Sequence, residues 1–299
     1  MVAEANVIPS LPAWHGASRL HPYFVCDVFT SEPLQGNQLG VFVDGRPLTS
    51  EEMQRLAREM NFAETVFLLP PKSGSDVSMR IFTPNAELPF AGHPVLGTAF
   101  VVGAALGTDA VTLETTSGPV PVSLDRDGDR IVFGRMQQRV PPWEPYAAER
   151  ELFDALRVSS SRLPVELYRN GPSHVFVGLE SEEAVAALDP DLAALKRLDV
   201  AANCFAGAGR AWKSRMFYPG AGIAEDPATG SAAGPLAVHL ARHGEIAFGD
   251  EITIRQGAEI GRPSLLYATA TGEGDRIDSV EVGGVALIVA EGRFRIAQA

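Results

Sequence analysis

Two short segments of the chain carry side chains suited to acid–base or hydrogen-bonding chemistry, Phe90–Pro94 and Glu225–Ser231. The first contains His93, the second contains Asp226 and Ser231, and each is followed by a run of small and apolar residues typical of a buried helix. The first turn of a helix has unpaired N–H groups and partial positive charge, so it can bind a carboxylate or phosphate without a basic side chain. Two such helix ends, if they converge, would form an anion site.

The two predicted helices begin differently. Pro94 suits the first turn of the helix after His93, because its φ is already helical and its missing N–H is not needed there. Ser231 is a candidate N-cap for the second helix, which would place Pro235 in the first turn of that helix.

The regions before the two helices resemble each other. Arg80–Pro84 precedes the first helix, Arg215–Pro219 precedes the second, and both have the pattern R-x-F-x-P. Further upstream, Asn61–Phe67 and Asn170–Phe176 share an asparagine, a valine and a phenylalanine at matching spacing. Because both matches occur in the same order, they favour a duplicated domain.

Length and composition suit two domains that act on a small molecule. The chain has 299 residues, 45% of them hydrophobic, and a formal net charge of −12. This length allows two cores, and the charge disfavours nucleic acid and anionic membranes as partners. The chain has no apolar stretch near the ~20 residues of a spanning helix and no signal-peptide pattern at its start, so a cytoplasmic protein is predicted. Cys26 and Cys204 are predicted to be buried thiols, since their spacing fits neither a disulfide framework nor a zinc site.

Strands dominate the predicted secondary structure around the two helices. A helix capped by Thr49 or Ser50 should run to Met60, and the proline-rich segment 140–145 is the predicted linker. The predicted domains are an N-terminal extension at 1–19, an N-terminal domain at 20–139 and a C-terminal domain at 140–299. Strands are predicted at 23–29, 39–43, 64–69, 79–83, 111–114, 120–124, 130–136, 165–169, 174–179, 203–206, 213–218, 251–257, 264–268 and 285–289. Further helices are predicted at 148–156, 182–188 and 191–195.

Several motifs together resemble the phenazine-biosynthesis isomerase family, the PhzF-like proteins, from about Tyr23 to the C-terminus. The matching residues are Asp27-x-Phe29 with Gly36-Asn37, Asn61-x-x-Glu64, Phe82-Thr83-Pro84, Glu87 to Pro94, and Asp226 to Leu236. Segments 168–172, 203–210 and 256–264 resemble the members of the phenazine pathway. The resemblance implies the α+β fold of diaminopimelate epimerase. In that fold two similar domains each wrap a barrel-like β-sheet around a buried central helix, and the active site lies between the domains. A homodimer is also implied.

The resemblance further implies isomerisation of trans-2,3-dihydro-3-hydroxyanthranilate, an allylic proton shift that gives an aminoketone, with no cofactor and no metal. Such a shift needs one base that removes a proton from one carbon and returns it to another. Glu64 is the predicted acid/base, because its apolar strand should raise its pKa above the usual ~4.3 of glutamate.

The other site residues are carried over from matching family positions. His93 and Asp226 are expected to hydrogen-bond the ring substituents of the substrate. Gly92, Gly230 and Ser231 are expected to bind its carboxylate, through backbone N–H groups and the serine hydroxyl.

Two alternative functions remain open from the sequence. A racemase or epimerase of this fold ordinarily uses a pair of cysteines, whereas the corresponding positions here are Glu64 and the loop 226–231. A non-catalytic binding or regulatory protein could also use the scaffold. Nucleotide binding and serine hydrolysis are disfavoured, because the P-loop spacing and G-x-S-x-G are absent. Four histidines are interpreted as structural or surface residues without metal-ligand spacing: His21, His174, His239 and His243.

Overall fold

The computed structural model describes residues 18–72 and 74–297. Residues 1–17 of the predicted N-terminal extension therefore lie outside the described residues, while Ser18 and Arg19 already belong to the first strand. Within the described ranges, no helix combines the length and apolar character needed to cross a membrane.

The first half of the chain, residues 18–138, contains two helices among short strands. Its elements are β1 (Ser18–Val28), β2 (Asn37–Phe42), α1 (Ser50–Met60), β3 (Glu64–Leu69), β4 (Val77–Phe82), β5 (Glu87–Leu88), α2 (Gly92–Leu106), β6 (Ala110–Thr115), β7 (Gly118–Asp127) and β8 (Arg130–Gln138).

The second half, residues 143–297, has a similar order of elements with more helix. Its elements are β9 (Trp143–Pro145), α3 (Glu149–Leu156), β10 (Glu166–Arg169), β11 (Ser173–Gly178), α4 (Glu182–Ala186), α5 (Leu192–Leu198), β12 (Ala201–Ala208), β13 (Ala211–Tyr218), β14 (Ile223–Asp226), α6 (Gly230–Arg242), β15 (Ile252–Gln256), β16 (Ser264–Glu273), β17 (Arg276–Gly284) and β18 (Ala286–Ala297). Short 3₁₀ turns cover Pro219–Ala221 and Ala258–Ile260.

The strand pairings of the two halves correspond. In the first half β2 is parallel to β3, β3 is antiparallel to β4, and β4 is parallel to β6. In the second half β11, β12, β13 and β15 repeat these relations in the same order. β17 pairs with β8 and thereby joins the two halves into one sheet. The predicted α+β fold of two similar domains is confirmed.

The R-x-F-x-P segments lie on β4 and β13, which are equivalent strands. Arg80 forms an ion pair with Glu87 of β5 at 2.6 Å, and Arg215 forms one with Glu225 of β14 at 2.7 Å. Each guanidinium also lies 5.0 Å from the ring centroid of the phenylalanine two residues later. The repeated letters therefore reflect a repeated local structure.

The second sequence match does not reflect equivalent strands, so it does not support the duplication that the strand pairings show. Asn61–Phe67 contains β3, whereas Asn170–Phe176 contains the start of β11, whose counterpart by pairing is β2. Buried strands are generally rich in valine and phenylalanine, so short matches between them arise from composition alone.

The last strand of the second half, β18, pairs within the first half. β9 lies inside the predicted linker 140–145 and pairs with β10 of the same half, while β18 returns to pair with β1, with one bulge where the register shifts between Val25 and Cys26. The domain ranges 20–139 and 140–299 stay a prediction. The pairing of β18 with β1 means that the second predicted domain contributes one strand to the first. β17 was not predicted as a strand, because polar residues such as Asp278 interrupt its apolar pattern.

Both central helices are buried, as predicted. α2 packs against strands β1, β2, β3, β6, β7, β8 and β18, and α6 packs against β16 and β17. Thr49 caps α1 in a capping box with Glu52, which confirms the predicted start of that helix. Cys26 and Cys204 are free, buried thiols, also as predicted.

Candidate active site

The N-terminal ends of α2 and α6 meet backbone to backbone. A Cβ atom added at Gly92 would lie 2.4 Å from the carbonyl carbon of Gly230, and one added at Gly230 would lie 3.1 Å from that of Gly92. Neither N-cap residue, Ala91 or Thr229, caps its helix through a side chain. The two helix ends therefore converge, which brings N–H groups and partial positive charge to one place.

A small cavity lies at this junction, between the two halves. The side chains that line it come from β3, β13, β14 and the two helix ends, together with an apolar wall that includes Leu88, Met216 and Ile223. All the site residues predicted from the sequence line this cavity: Glu64, Gly92, His93, Asp226, Gly230 and Ser231.

Glu64 and His93 face each other across the cavity floor. Glu64 Oε2 lies 3.2 Å from His93 Nε2, and neither atom has a hydrogen-bond partner of good geometry among the described residues. Burial raises the pKa of Glu64 well above its usual value, and the negative charge of Asp226 raises it further. Burial also lowers the pKa of His93 to about 3, against the effect of a backbone hydrogen bond with Gln38. His93 is therefore neutral at physiological pH.

Asp226, the last residue of β14, is fixed by hydrogen bonds to both carboxylate oxygens. Oδ1 accepts from Asn37 Nδ2 at 2.8 Å, and Oδ2 accepts from the hydroxyl of Thr229 at 2.6 Å. Burial raises the pKa of Asp226 to about 6, although these hydrogen bonds oppose the shift. The same Asn37 nitrogen lies 2.9 Å from the Ala228 carbonyl oxygen and 3.2 Å from His93 Nδ1. Asn37 thus links the site groups of the two halves.

The loop that carries Asn37 is held by a residue of the second half. Asp27 Oδ1 accepts from Arg262 Nη2 at 2.6 Å. Arg262 also donates to the carbonyl oxygens of Gln35 and Gly36, at 2.6 Å and 2.8 Å. The motif Asp27-x-Phe29 with Gly36-Asn37 and the segment 256–264 therefore meet in space, which local sequence patterns did not predict.

Ser231 is not the N-cap of its helix. α6 begins at Gly230 with Thr229 as the N-cap, so Ser231 is the second helical residue and Pro235 lies in the second turn rather than the first. Pro235 has no N–H for the Ser231 carbonyl four residues earlier, and Asn170 Nδ2 donates to that oxygen instead, at 2.9 Å. Ser231 thus lines the cavity without serving as the cap of α6.

His174 belongs to the cavity wall, which corrects its interpretation as a purely structural or surface residue. It is fully buried on β11, and its Nε2 lies 3.1 Å from Ser231 Oγ. Its Nδ1 lies 3.4 Å from Asn203 Nδ2. Burial lowers the pKa of His174 to about 3. The available sequence signal was a lone histidine inside the apolar strand that follows Asn170-Gly-Pro.

A second buried polar cluster lies away from the cavity. Ligand atoms of Glu166, His239 and His243 come within 4.8 Å of one another, a spacing that could hold a metal ion. However, the same Glu166 oxygen accepts from Arg242 Nη1 at 2.7 Å and from the Tyr168 hydroxyl at 2.8 Å. A guanidinium charge at that oxygen opposes a cation, so the cluster is better described as an ion-pair network.

The chain is similar to known proteins over nearly all of its length. A family described as phenazine biosynthesis-like protein matches residues 26–292. The trans-2,3-dihydro-3-hydroxyanthranilate isomerase of Pseudomonas aeruginosa is 55% identical over 92% of this chain and 99% of its own. An uncharacterized isomerase of Escherichia coli, YddE, is 32% identical over 90% of this chain and 97% of its own.

Solved structures have the same architecture. A Bacillus anthracis phenazine biosynthesis protein of the PhzF family superposes with a TM-score of 0.81 at 25% identity, over 93% of this chain and all of the other. A hydroxyproline epimerase from Agrobacterium vitis shares the fold alone, with a TM-score of 0.67 at 13% identity over 94% of each chain. The match along residues 26–292 and the identity to curated relatives establish that the chain belongs to the phenazine biosynthesis-like protein family.

Proposed function

We propose that this protein is an isomerase that converts trans-2,3-dihydro-3-hydroxyanthranilate to its aminoketone tautomer by proton transfer through a single base. The observation that carries the proposal is the buried Glu64 carboxyl, whose Oε2 has no hydrogen-bond partner among the described residues, placed in a cavity where two helix ends converge. Three curated relatives that bear the name of this isomerase, at 52–55% identity, support the choice of substrate.

In the proposed mechanism Glu64 is the only group that exchanges a proton with carbon. Its carboxylate accepts the proton of the ring C–H bond that breaks, and the electron pair of that bond shifts into the allylic system. The protonated Glu64 then returns the same proton to the carbon at the far end of that system, which gives an enol that tautomerises to the ketone. A raised pKa makes the carboxylate a stronger base than an exposed glutamate and keeps the protonated form accessible for the return step.

The remaining site residues orient the substrate in this proposal. The backbone N–H groups of Gly92, Gly230 and Ser231 bind the substrate carboxylate, helped by the two helix dipoles. His93 and Asp226 hydrogen-bond the ring substituents. An anion can therefore bind although no lysine or arginine lines the described cavity and the chain carries a net charge of −12.

A two-base epimerase is the less favoured alternative. Asp226 is the second carboxyl group of the cavity, but both of its oxygens are already held by Asn37 and Thr229. No cysteine is among the described residues that line the cavity. These observations support one base, Glu64, and one fixed hydrogen-bonding group, Asp226, rather than a pair of bases on opposite faces of one carbon.

The protein is further proposed to act in the cytoplasm as a homodimer, without a cofactor or metal. Its mass in solution, measured by light scattering after gel filtration, tests the dimer. A mass equal to the 31.9 kDa of one chain would contradict it.

The reaction itself is tested by incubating purified protein with trans-2,3-dihydro-3-hydroxyanthranilate in deuterated water. NMR follows substrate loss and deuterium incorporation for the wild type and for Glu64→Gln. We expect loss with the wild type only, because glutamine cannot accept the proton. Turnover by Glu64→Gln would contradict the role of Glu64, and no turnover by the wild type would contradict the substrate.

A further inference from the structure

Asn203, His174 and Ser231 form a chain of buried side chains that ends at the cavity. Asn203 Nδ2 lies 3.4 Å from His174 Nδ1, and His174 Nε2 lies 3.1 Å from Ser231 Oγ. All three side chains are buried, and His174 and Ser231 line the cavity. The role of these three side chains depends on which of their nitrogen and oxygen atoms carry the hydrogen atoms. The surrounding contacts determine where those hydrogen atoms lie.

The orientation of the Asn203 amide is set by a carbonyl group. Its Nδ2 donates to the Ala201 carbonyl oxygen at 2.8 Å. If the amide were turned over, its oxygen would face that carbonyl oxygen at the same distance, which is repulsive. Asn203 therefore presents its second N–H to His174 Nδ1, and that nitrogen must act as the acceptor.

A histidine whose Nδ1 accepts carries its hydrogen on Nε2. His174 consequently donates to Ser231 Oγ, and the serine oxygen acts as an acceptor in that contact. Ser231 Oγ makes no other hydrogen bond to the described residues. Its own hydrogen is therefore free to point into the cavity, beside the N–H groups of the two helix ends.

We propose that Asn203 and His174 are positioning residues that keep the Ser231 hydroxyl a hydrogen-bond donor toward the ligand, and so make the site selective for a carboxylate over a neutral isostere. This inference rests on the proposed function, since it assigns Ser231 to the carboxylate of the same substrate. A carboxylate only accepts hydrogen bonds, whereas a carboxamide also presents N–H groups that cannot pair with a row of donors.

The test measures binding of two aromatic probes by calorimetry. The first is 3-hydroxyanthranilate, which keeps the amine, hydroxyl and carboxylate of the substrate but cannot isomerise, and the second is its carboxamide. The variants are Ser231→Ala, His174→Leu, His174→Gln and the double variant Ser231→Ala/His174→Leu. Glutamine can still donate an N–H toward Ser231 and accept from Asn203, so it is the conservative replacement.

We expect Ser231→Ala and His174→Leu each to weaken carboxylate binding by about 10- to 100-fold, the usual range for one hydrogen bond to a charged group. Carboxamide binding should change much less, and His174→Gln should retain most of the selectivity. The double variant should lose no more selectivity than Ser231→Ala alone, because His174 acts through Ser231. In turnover of trans-2,3-dihydro-3-hydroxyanthranilate by Ser231→Ala and His174→Leu, KM should rise by a larger factor than kcat falls.

Equal weakening of both probes by His174→Leu, or additive losses in the double variant, would overturn the proposal. If His174→Leu does not fold, as judged by circular dichroism, the comparison of Ser231→Ala with His174→Gln decides, since equal losses in those two variants contradict the chain of donors. Failure of the proposed function is separate. A wild type that selects the carboxylate but does not convert trans-2,3-dihydro-3-hydroxyanthranilate keeps this inference and loses the reaction.

Discussion

Glu64 lies in surroundings that favour its neutral form. The side chain is buried, it has no hydrogen-bond partner on Oε2 among the described residues, and the Asp226 carboxyl is close enough to raise its pKa. A carboxyl group that is easier to protonate in the folded state than in the unfolded state binds more protons when folded. At high pH the charged Glu64 therefore lowers the free energy of unfolding. Such a loss of stability is common for catalytic groups.

We predict that Glu64→Gln stabilises the protein, and increasingly so as the pH rises. The contribution of Glu64 is most favourable below the unfolded pKa of ~4.3 and is lost as the pH rises to the raised folded pKa. The gain should approach about 1.4 kcal/mol for each unit between these two pKa values. Urea unfolding from pH 4 to pH 8 measures it. The exposed Glu32→Gln is the control, and parallel stability curves for the two variants would contradict the prediction.

The two helix ends depend on glycine because their backbones touch. A methyl group at Gly92 would lie 2.4 Å from the backbone of Gly230, whereas one at Gly97, further along α2, would come closest to the ends of the Leu39 and Val28 side chains, at 2.7 Å. Side-chain ends can move, but two helix backbones cannot approach without opening the site.

We therefore predict that Gly92→Ala abolishes most of the activity, while Gly97→Ala mainly lowers stability. The first separates the N–H groups that bind the carboxylate, and the second overpacks the core at a cost of about 1–3 kcal/mol. Steady-state kinetics and thermal unfolding of both variants distinguish the two effects. Near-normal kcat/KM for Gly92→Ala would show that the close approach is not needed.

The start of α6 also depends on Asn170, because Pro235 interrupts the hydrogen bonds of that helix. The proline leaves the Ser231 carbonyl without its helical donor, and Asn170 Nδ2 supplies the hydrogen bond at 2.9 Å. We predict that Asn170→Ala destabilises the protein by about 1–3 kcal/mol, because a buried carbonyl loses its partner. Alanine at position 235 restores the missing N–H. The loss caused by Asn170→Ala should thus be smaller when Pro235→Ala is present, and a double-mutant cycle of urea unfolding measures the difference. Additive losses would contradict this account.

At the level of the whole molecule, the two halves are held together by contacts far apart in the chain. β18 pairs with β1, β17 pairs with β8, and Arg262 pairs with Asp27 across 235 residues. The ion pair is partly buried, with 18% of the arginine and 3% of the aspartate side chain exposed. The same arginine holds the loop before Asn37, so this contact connects the stability of the assembly to the geometry of the site.

We predict that Arg262→Met destabilises the protein by about 3–5 kcal/mol, since it leaves the buried Asp27 charge without its partner. The control is Arg46→Met, which removes an exposed ion pair with Asp44 and should cost at most about 1 kcal/mol. Unfolding by urea at pH 7 compares the variants. A loss for Arg262→Met no larger than that of the control would mean that the contact contributes little.

The sequence alone was sufficient for features that depend on neighbouring residues. The capping box at Thr49, the two apolar helices and the R-x-F-x-P repeat were predicted from local patterns and are present in the structure. The choice of Glu64, His93 and Asp226 needed the family resemblance, because a glutamate on a strand is commonly a solvated residue.

Tertiary structure alone decided the features that depend on distant residues. Asn37 donates to Asp226 across 189 residues, His174 meets Ser231 across 57, and β18 crosses to the first half. No local pattern encodes these contacts, because they arise from the pairing of strands and the burial of two helix ends together. For the same reason the match between Asn61–Phe67 and Asn170–Phe176 was misleading. The apolar residues of a strand show that it is buried, but they do not show which strands it pairs with.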